Sequence, residues 1–202
     1  MAHSPRTASL IVLLISTAAA VSAQADGRPR VEAAVAYTTN LIEDENGTMV
    51  SYALAPAVGA AFAWTLSSGT NAVLGGRLSR AGVDVDFQGS SQSAGNGWVV
   101  DVRAALEREF GACSAGTRGC TVLHAGGGAL WATGPDDVAP FSTDRGAMLT
   151  GEIGIAVRVT SGMPFYLTGV AQAFRLGGST ASDPIRESGT VTRVLLGVRH
   201  GR

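Results

Sequence analysis

The sequence contains no lysine, few charges of either sign and no long apolar run beyond its N-terminus. Charged residues make up 15% of the 202 residues, and the formal net charge is −1. A balance so close to neutral argues against nucleic acid as a partner. No segment after residue 25 approaches the roughly 18 consecutive apolar residues of a membrane-spanning helix. The mean hydropathy is nevertheless +0.22, which is more apolar than we expect of a soluble exported domain.

The first 25 residues predict export. Arg6 precedes an apolar run, and small residues follow it around Ala23 and Ala25. This order of a charged start, an apolar middle and a small-residue end is typical of a cleavable signal peptide. The alternative, a helical membrane anchor, needs roughly 20 apolar residues, and the run is shorter than that. We therefore predict that residues 1–25 are cleaved, after Ala23 or Ala25, and that residues 26–202 form one domain.

Cysteine is scarce, and both copies lie close together. Cys113 and Cys120 enclose a short glycine-containing turn. In an exported chain this spacing favours a disulfide that closes one hairpin, although two free thiols in the turn are the alternative. No further cysteine or histidine lies nearby at the spacing of metal ligands, so we expect no metal at this turn.

Eight segments of alternating side-chain character follow the signal peptide, separated by turn residues, and this pattern predicts β-strands. The predicted strands are Arg30–Leu41, Val50–Leu66, Asn71–Phe87, Trp98–Phe110, Thr121–Thr133, Leu149–Val159, Pro164–Leu176 and Thr190–His200. The alternation slips near Gly82, where we expect a bulge. Polar loops, including residues 88–97, follow the odd-numbered strands, and shorter turns follow the even-numbered ones. An up-and-down antiparallel barrel places these two sets of connections at opposite rims.

Alternation alone fits either of two barrels. A membrane barrel has its apolar face outward, whereas a soluble ligand-binding barrel has it inward. In the second strand Tyr52, Leu54 and Val58 lie on the large apolar face, and the opposite face is almost all alanine and glycine. The small-residue faces of the other strands carry charges of both signs, which could pair inside a narrow barrel. We predict a lumen charge network of Arg103, Glu107, Glu152, Arg158, Arg193 and Arg199. Aromatic residues near the strand ends also favour the membrane barrel.

The chain resembles the small outer-membrane β-barrel family of the OmpA/OmpX type. The resemblance rests on the signal peptide, the eight alternating segments and the alternating loop lengths, and it covers nearly all of the mature chain. It implies a single transmembrane barrel of about eight strands in a bacterial outer membrane, inserted by the outer-membrane assembly machinery. One feature departs from the family: the chain ends at Val198-Arg199-His200-Gly201-Arg202, without the usual terminal aromatic residue.

No group of residues has the composition of a catalytic site. The mature chain has two histidines, and His124 is expected to face the lumen beside a carboxylate such as Glu107 or Glu109. Catalysis by a nucleophile would need a serine within reach of such a histidine, and none is close in sequence. Asp84 and Asp86 are expected to line the lumen near the outer rim. The acidic loops 43–45 and 136–137 more often remain solvated than bind a cation. We predict no catalytic, cofactor or metal site.

Three functional hypotheses follow. The first is a non-enzymatic, monomeric outer-membrane barrel with a structural, adhesive or surface-interaction role, whose outer loops contact surface partners and whose wall contacts lipid. The second is a soluble exported barrel, similar to lipocalins, that binds a small apolar ligand. The third is a barrel enzyme that modifies lipid A, with His124 in its site.

Overall fold

The computed structural model describes residues 27–39, 42–43, 47–111, 119–135, 148–160, 164–174 and 191–201. The predicted signal peptide and Cys113 lie outside these ranges, so cleavage and the disulfide stay predictions. No helix within the described ranges is long and apolar enough to cross a membrane.

The chain folds into a closed antiparallel β-barrel with up-and-down topology, which confirms the predicted fold class. The strands are β1 (Arg28–Thr38), β2 (Ile42–Glu43), β3 (Thr48–Tyr52), β4 (Ala55–Ser67), β5 (Thr70–Phe87), β6 (Ser90–Phe110), β7 (Thr121–Ala132), β8 (Met148–Arg158), β9 (Phe165–Phe174) and β10 (Val191–His200). Each of the strands β4 to β10 pairs with its neighbour in sequence, and β1 pairs with both β4 and β10. Because β3 and β4 together form one wall strand, the ring has eight members, and closure removes the free edges of an open sheet.

The second wall strand is interrupted at residues 53–54, and the interruption reverses one predicted side-chain direction. Tyr52 was expected on the outer face with Leu54, but Tyr52 is buried and Leu54 is exposed. The Tyr52 hydroxyl donates a hydrogen bond of 2.6 Å to the carbonyl of Thr133. Period-two alternation holds only along an unbroken strand. The break lets Tyr52 turn inward while the residues of β4 keep their predicted faces.

The longest hairpin, formed by β5 and β6, contradicts the predicted loop at residues 88–97. Gln88 and Gly89 form a two-residue turn in which φ is 51° and 80°. Positive φ at both central residues matches the right-handed twist of the flanking strands. β6 therefore starts at Ser90 and runs past the end of β7, while on the other side of the hairpin β3 pairs with β5 as far as Phe87. The register shifts at Val83, next to the bulge predicted at Gly82; the extra residue lies on β6.

The two rims of the barrel differ. One rim holds the hairpin tip and the ends of β1, β7 and β9; we call it the loop rim. The other, the turn rim, holds the Ser68–Gly69 turn, the ends of β6 and β8, and the end of β10 beside the start of β1. At the loop rim a buried apolar cluster caps the lumen. It comprises Val50, Tyr52, Ala55, Ala81, Val83, Val99, Leu130, Met148 and Val191. Below this outer apolar cap the lumen is polar.

Candidate site: a charged lumen within an apolar wall

Large apolar side chains cover the outside of the barrel. The exposed ones include Val31, Val35, Tyr37, Leu54, Val58, Leu66, Leu74, Trp98, Leu106, Phe110, Leu123, Leu149, Ile153, Ile155, Val157, Leu167 and Leu196. Ile153, at the middle of β8, has an exposed fraction of 65%, whereas its neighbour Glu152 is 4% exposed. This order, with apolar residues outside and charges inside, is the reverse of the usual order in a water-soluble protein.

Two arginines and two carboxylates form a closed ring across the middle of the lumen. Glu152 accepts hydrogen bonds from Nη1 of Arg103 at 2.7 Å and from Nη1 of Arg77 at 2.8 Å. Glu32 accepts from Nη2 of Arg103 at 2.6 Å and from Nε of Arg77 at 3.0 Å. The four residues lie on β8, β6, β5 and β1. The ring therefore links strands on several sides of the lumen, and its charges balance.

Glycine makes room for this ring. Gly59 lies on β4, opposite Glu32 on one side and Arg77 on the other. A Cβ atom at Gly59 would lie 3.0 Å from Cγ of Arg77 and 2.9 Å from the carbonyl oxygen of Gly76. A larger residue at this position would therefore crowd the Arg77 side chain.

A second, smaller cluster lies between the ring and the outer apolar cap. Arg193 donates from Nη1 to Asp101 at 3.2 Å and from Nη2 to the Ser79 hydroxyl at 2.6 Å. Asp101 also lies 3.6 Å from Nη1 of Arg77, which connects this cluster to the ring. Gln172 is fully buried between its ladder partners Glu152 and Arg193.

A third cluster lies toward the turn rim. Arg30 and Arg199 each donate from Nη1 to Glu107, at 2.6 and 2.7 Å. The Arg199 guanidinium lies over the Tyr166 ring, 4.7 Å from its centroid. Arg158, the ladder partner of Tyr166, donates from Nε to the carbonyl of Thr160 at 3.0 Å.

The lumen histidine contacts a different carboxylate from the two that the sequence suggested. Nε2 of His124 is 3.5 Å from Glu152, whereas the expected partners were Glu107 and Glu109. Glu107 is the ladder neighbour of His124, but its two oxygens are held by arginines. The Glu109 carboxylate accepts a hydrogen bond from Asn71 at 3.2 Å. His124 is 8% exposed, so it is shielded from bulk water.

The predicted lumen residues all lie on the inner face, and all are buried. Glu107 and Arg199 share one cluster, and Arg103 and Glu152 share the ring. Arg193 contacts Asp101, and Arg158 contacts the carbonyl of Thr160. Sequence reasoning missed Arg30, Glu32, Arg77 and Asp101, which complete the network. The signal was available for Arg30, Glu32 and Asp101, because all three lie on the small-residue faces of predicted strands.

Asp84 and Asp86 do not line the lumen, in contrast to the sequence expectation. Both are partly exposed and lie on the opposite face of β5 from Val83, which belongs to the outer apolar cap. Oδ1 of Asp86 accepts a hydrogen bond from the backbone of Gly89 and so supports the hairpin turn. Among the described residues no group of three or more histidine, cysteine or acidic residues could hold a metal ion.

Comparisons with known proteins add a likeness of fold. No protein-family model matches the sequence, and no curated protein matches it significantly. Among solved structures, the outer membrane protein OprG from Pseudomonas aeruginosa is similar, with 13% sequence identity and a TM-score of 0.48. The match covers 87% of this chain and 96% of the OprG chain.

Proposed function

We propose that this chain is an integral outer-membrane barrel with a structural, adhesive or surface-interaction role and no enzymatic activity. The observation that carries the proposal is the distribution of polarity: the wall is apolar outside and the charges are inside. In water, such a wall would be an exposed apolar patch far larger than a soluble monomer tolerates. In a bilayer it is the surface that faces lipid.

The strand lengths support a position across a membrane. A strand of 11 residues, such as β1 or β8, covers about 28 Å along the barrel axis at a tilt near 40°. The apolar band of outer-membrane barrels is about 25 Å tall. Exposed aromatic residues mark both ends of the wall, with Trp98 near the loop rim and Phe110 near the turn rim. Arg80, which lies over the Trp98 ring at 5.6 Å, could then reach lipid headgroups.

The soluble alternative has less support from the geometry. A lipocalin-like barrel needs an apolar cavity, whereas the middle of this lumen is occupied by ion pairs and its loop end by the outer apolar cap. The lipid A-modifying alternative also has less support. His124 is buried beside Glu152 and faces the small wall residue Gly154, in the polar middle of the lumen and away from any lipid substrate.

The extended β5–β6 hairpin is the part of the barrel best placed for contact with a surface partner. Its tip, including Phe87 with an exposed fraction of 48%, lies beyond the end of β7 on the loop rim. On one side β3 pairs with β5 as far as Phe87, and a projection held by such strand pairing needs less ordering on binding than a flexible loop does. We expect lipid to surround the wall, the assembly machinery to insert the barrel, and the barrel to be a monomer.

The test is a heat-modifiability gel on detergent-extracted protein, run beside the aqueous fraction of the same cells. We expect the protein in the detergent fraction, with unheated and boiled samples migrating differently. Recovery in the aqueous fraction without a mobility shift would rule out the membrane barrel. Phe87→Ser changes the exposed hairpin tip without removing any strand pairing, and it is expected to preserve the shift. If surface binding is then lost, the hairpin is the binding element.

A further inference from the structure

The charges of the lumen do not balance at every level. In the ring and the cluster above it, Arg77, Arg103 and Arg193 face the three carboxylates Glu32, Glu152 and Asp101. Toward the turn rim, Arg30 and Arg199 share the single carboxylate of Glu107. Among the described residues, these two guanidiniums and one carboxylate form a cluster with an excess of one positive charge.

That positive charge is buried. The side chains of Arg30, Arg199 and Glu107 are each 4% exposed. An unpaired ion in such surroundings costs several kcal/mol. Arginine does not release the charge by losing its proton near neutral pH. A negative group other than the described residues is therefore needed to neutralise it.

Hydrogen-bond donors at this level are also unused. The Nε–H groups of Arg30 and Arg199 are buried and reach no acceptor in the described part of the chain. Each arginine contacts Glu107 through Nη1 alone, although a guanidinium presents five donors. Arg77, Arg103 and Arg193 also have a buried nitrogen without a partner in the described part of the chain, so unused donors alone do not distinguish this cluster. Here the unused donors coincide with an excess of positive charge, and buried donors nearly always have a partner. The two observations together indicate a missing acceptor of negative charge.

We propose that the turn-rim end of the lumen binds a small inorganic anion of about the size of chloride between Arg30 and Arg199. Tyr166 bounds the site, because its ring lies beneath the Arg199 guanidinium. The anion would enter through the nearby turn rim, because Arg30 is near the start of β1 and Arg199 is near the end of β10. The outer apolar cap closes the path from the other rim.

Chloride-dependent thermal unfolding of the folded, detergent-solubilised barrel tests the site. Ionic strength is held constant with sodium isethionate, whose anion is too large for a buried site. From no chloride to ten times its dissociation constant, we expect the midpoint temperature to rise by roughly 3 to 6 °C, and at higher concentrations to keep rising with the logarithm of the chloride concentration. Arg199→Gln should abolish the rise. Arg108→Gln, which changes an exposed arginine on the same strand as Glu107, should keep it.

Glu107→Gln is a separate test, because it removes the carboxylate that Arg30 and Arg199 share and leaves two positive charges in the cluster. We expect the dissociation constant for chloride, taken from the concentration at which the midpoint temperature begins to rise, to fall at least tenfold. In crystals soaked in bromide, anomalous scattering should show a peak within about 4 Å of Nε of Arg30 or Arg199, a readout that does not depend on any variant folding. Absence of both the chloride dependence and the bromide peak would overturn the proposal; a carboxylate from elsewhere in the chain would then be the expected partner.

Discussion

Gly154 on β8 lies directly across the ladder from His124 on β7, and a Cβ atom at Gly154 would overlap the imidazole ring. The absence of a side chain at residue 154 is what allows His124 to lie against the wall and reach Glu152. The missing side chain of one wall residue, Gly154, therefore sets the position of one lumen side chain, His124.

Gly154→Ala should displace His124 and destabilise the barrel by about 1–3 kcal/mol, the usual cost of overpacking. The measurement is urea-induced unfolding in lipid vesicles. A double-mutant cycle with His124→Ala provides the control, because the smaller residue removes the clash. In the Gly154→Ala background the second substitution should recover part of the loss, because the new Cβ would still lie 2.8 Å from the carbonyl oxygen of Gly169. Two additive losses would show that the contact with His124 does not restrict the side chain at residue 154.

Removal of Glu152 should be costly. In Glu152→Leu both Arg77 and Arg103 lose a hydrogen-bonded carboxylate inside the lumen, and we expect a loss of about 3–5 kcal/mol in unfolding free energy. Glu152→Gln keeps one oxygen acceptor and should lose less. If the unfolding free energy of Glu152→Leu lies within 0.5 kcal/mol of that of the parent, residue 152 does not hold the ring together.

Substitution of Tyr52 tests whether the interruption at residues 53–54 turns this side chain inward. Tyr52→Phe removes the hydroxyl that donates to the carbonyl of Thr133 and should cost about 0.5–1.5 kcal/mol. Tyr37→Phe is a matched control, because Tyr37 has an exposed fraction of 56% on the outer wall. Equal effects of the two substitutions in vesicle unfolding would contradict the inward position of Tyr52.

The disulfide between Cys113 and Cys120 stays a prediction, with Cys120 fully buried at the turn rim. Closing so short a loop should stabilise the barrel by about 2.5 kcal/mol in the chain-entropy description. Mass spectrometry after alkylation, with and without prior reduction, measures the pairing. Labelling of both thiols without reductant would show that the hairpin is open.

The wall was largely predictable from the sequence. Residue alternation located all eight wall strands, because in an unbroken strand each side chain faces either lumen or exterior. The prediction was wrong at two places, one where a strand is interrupted and one where a polar segment pairs as a strand. The break at residues 53–54 turned Tyr52 inward, and the polar stretch after Gln88 became strand because β5 offers it backbone partners.

The charge network was only partly predictable, for a different reason. The alternation of β6, β8 and β10 places Arg103, Glu152 and Arg193 inside, but it cannot show which residues meet across the lumen. Those pairings depend on the tilt and stagger of the strands around the barrel. The ring partners Glu152 and Arg77 are 75 residues apart, and sequence spacing alone did not relate them.

The most direct test of the membrane barrel compares Ile153→Arg with Phe87→Arg. Ile153 is at the middle of the outer wall, 65% exposed, and Phe87 is at the hairpin tip, 48% exposed. In lipid vesicles Ile153→Arg should lower the unfolding free energy by about 2–4 kcal/mol, the cost of arginine near the bilayer midplane. Phe87→Arg should leave it within about 0.5 kcal/mol. Equal, small effects of both substitutions would show that the wall faces water and would contradict the account.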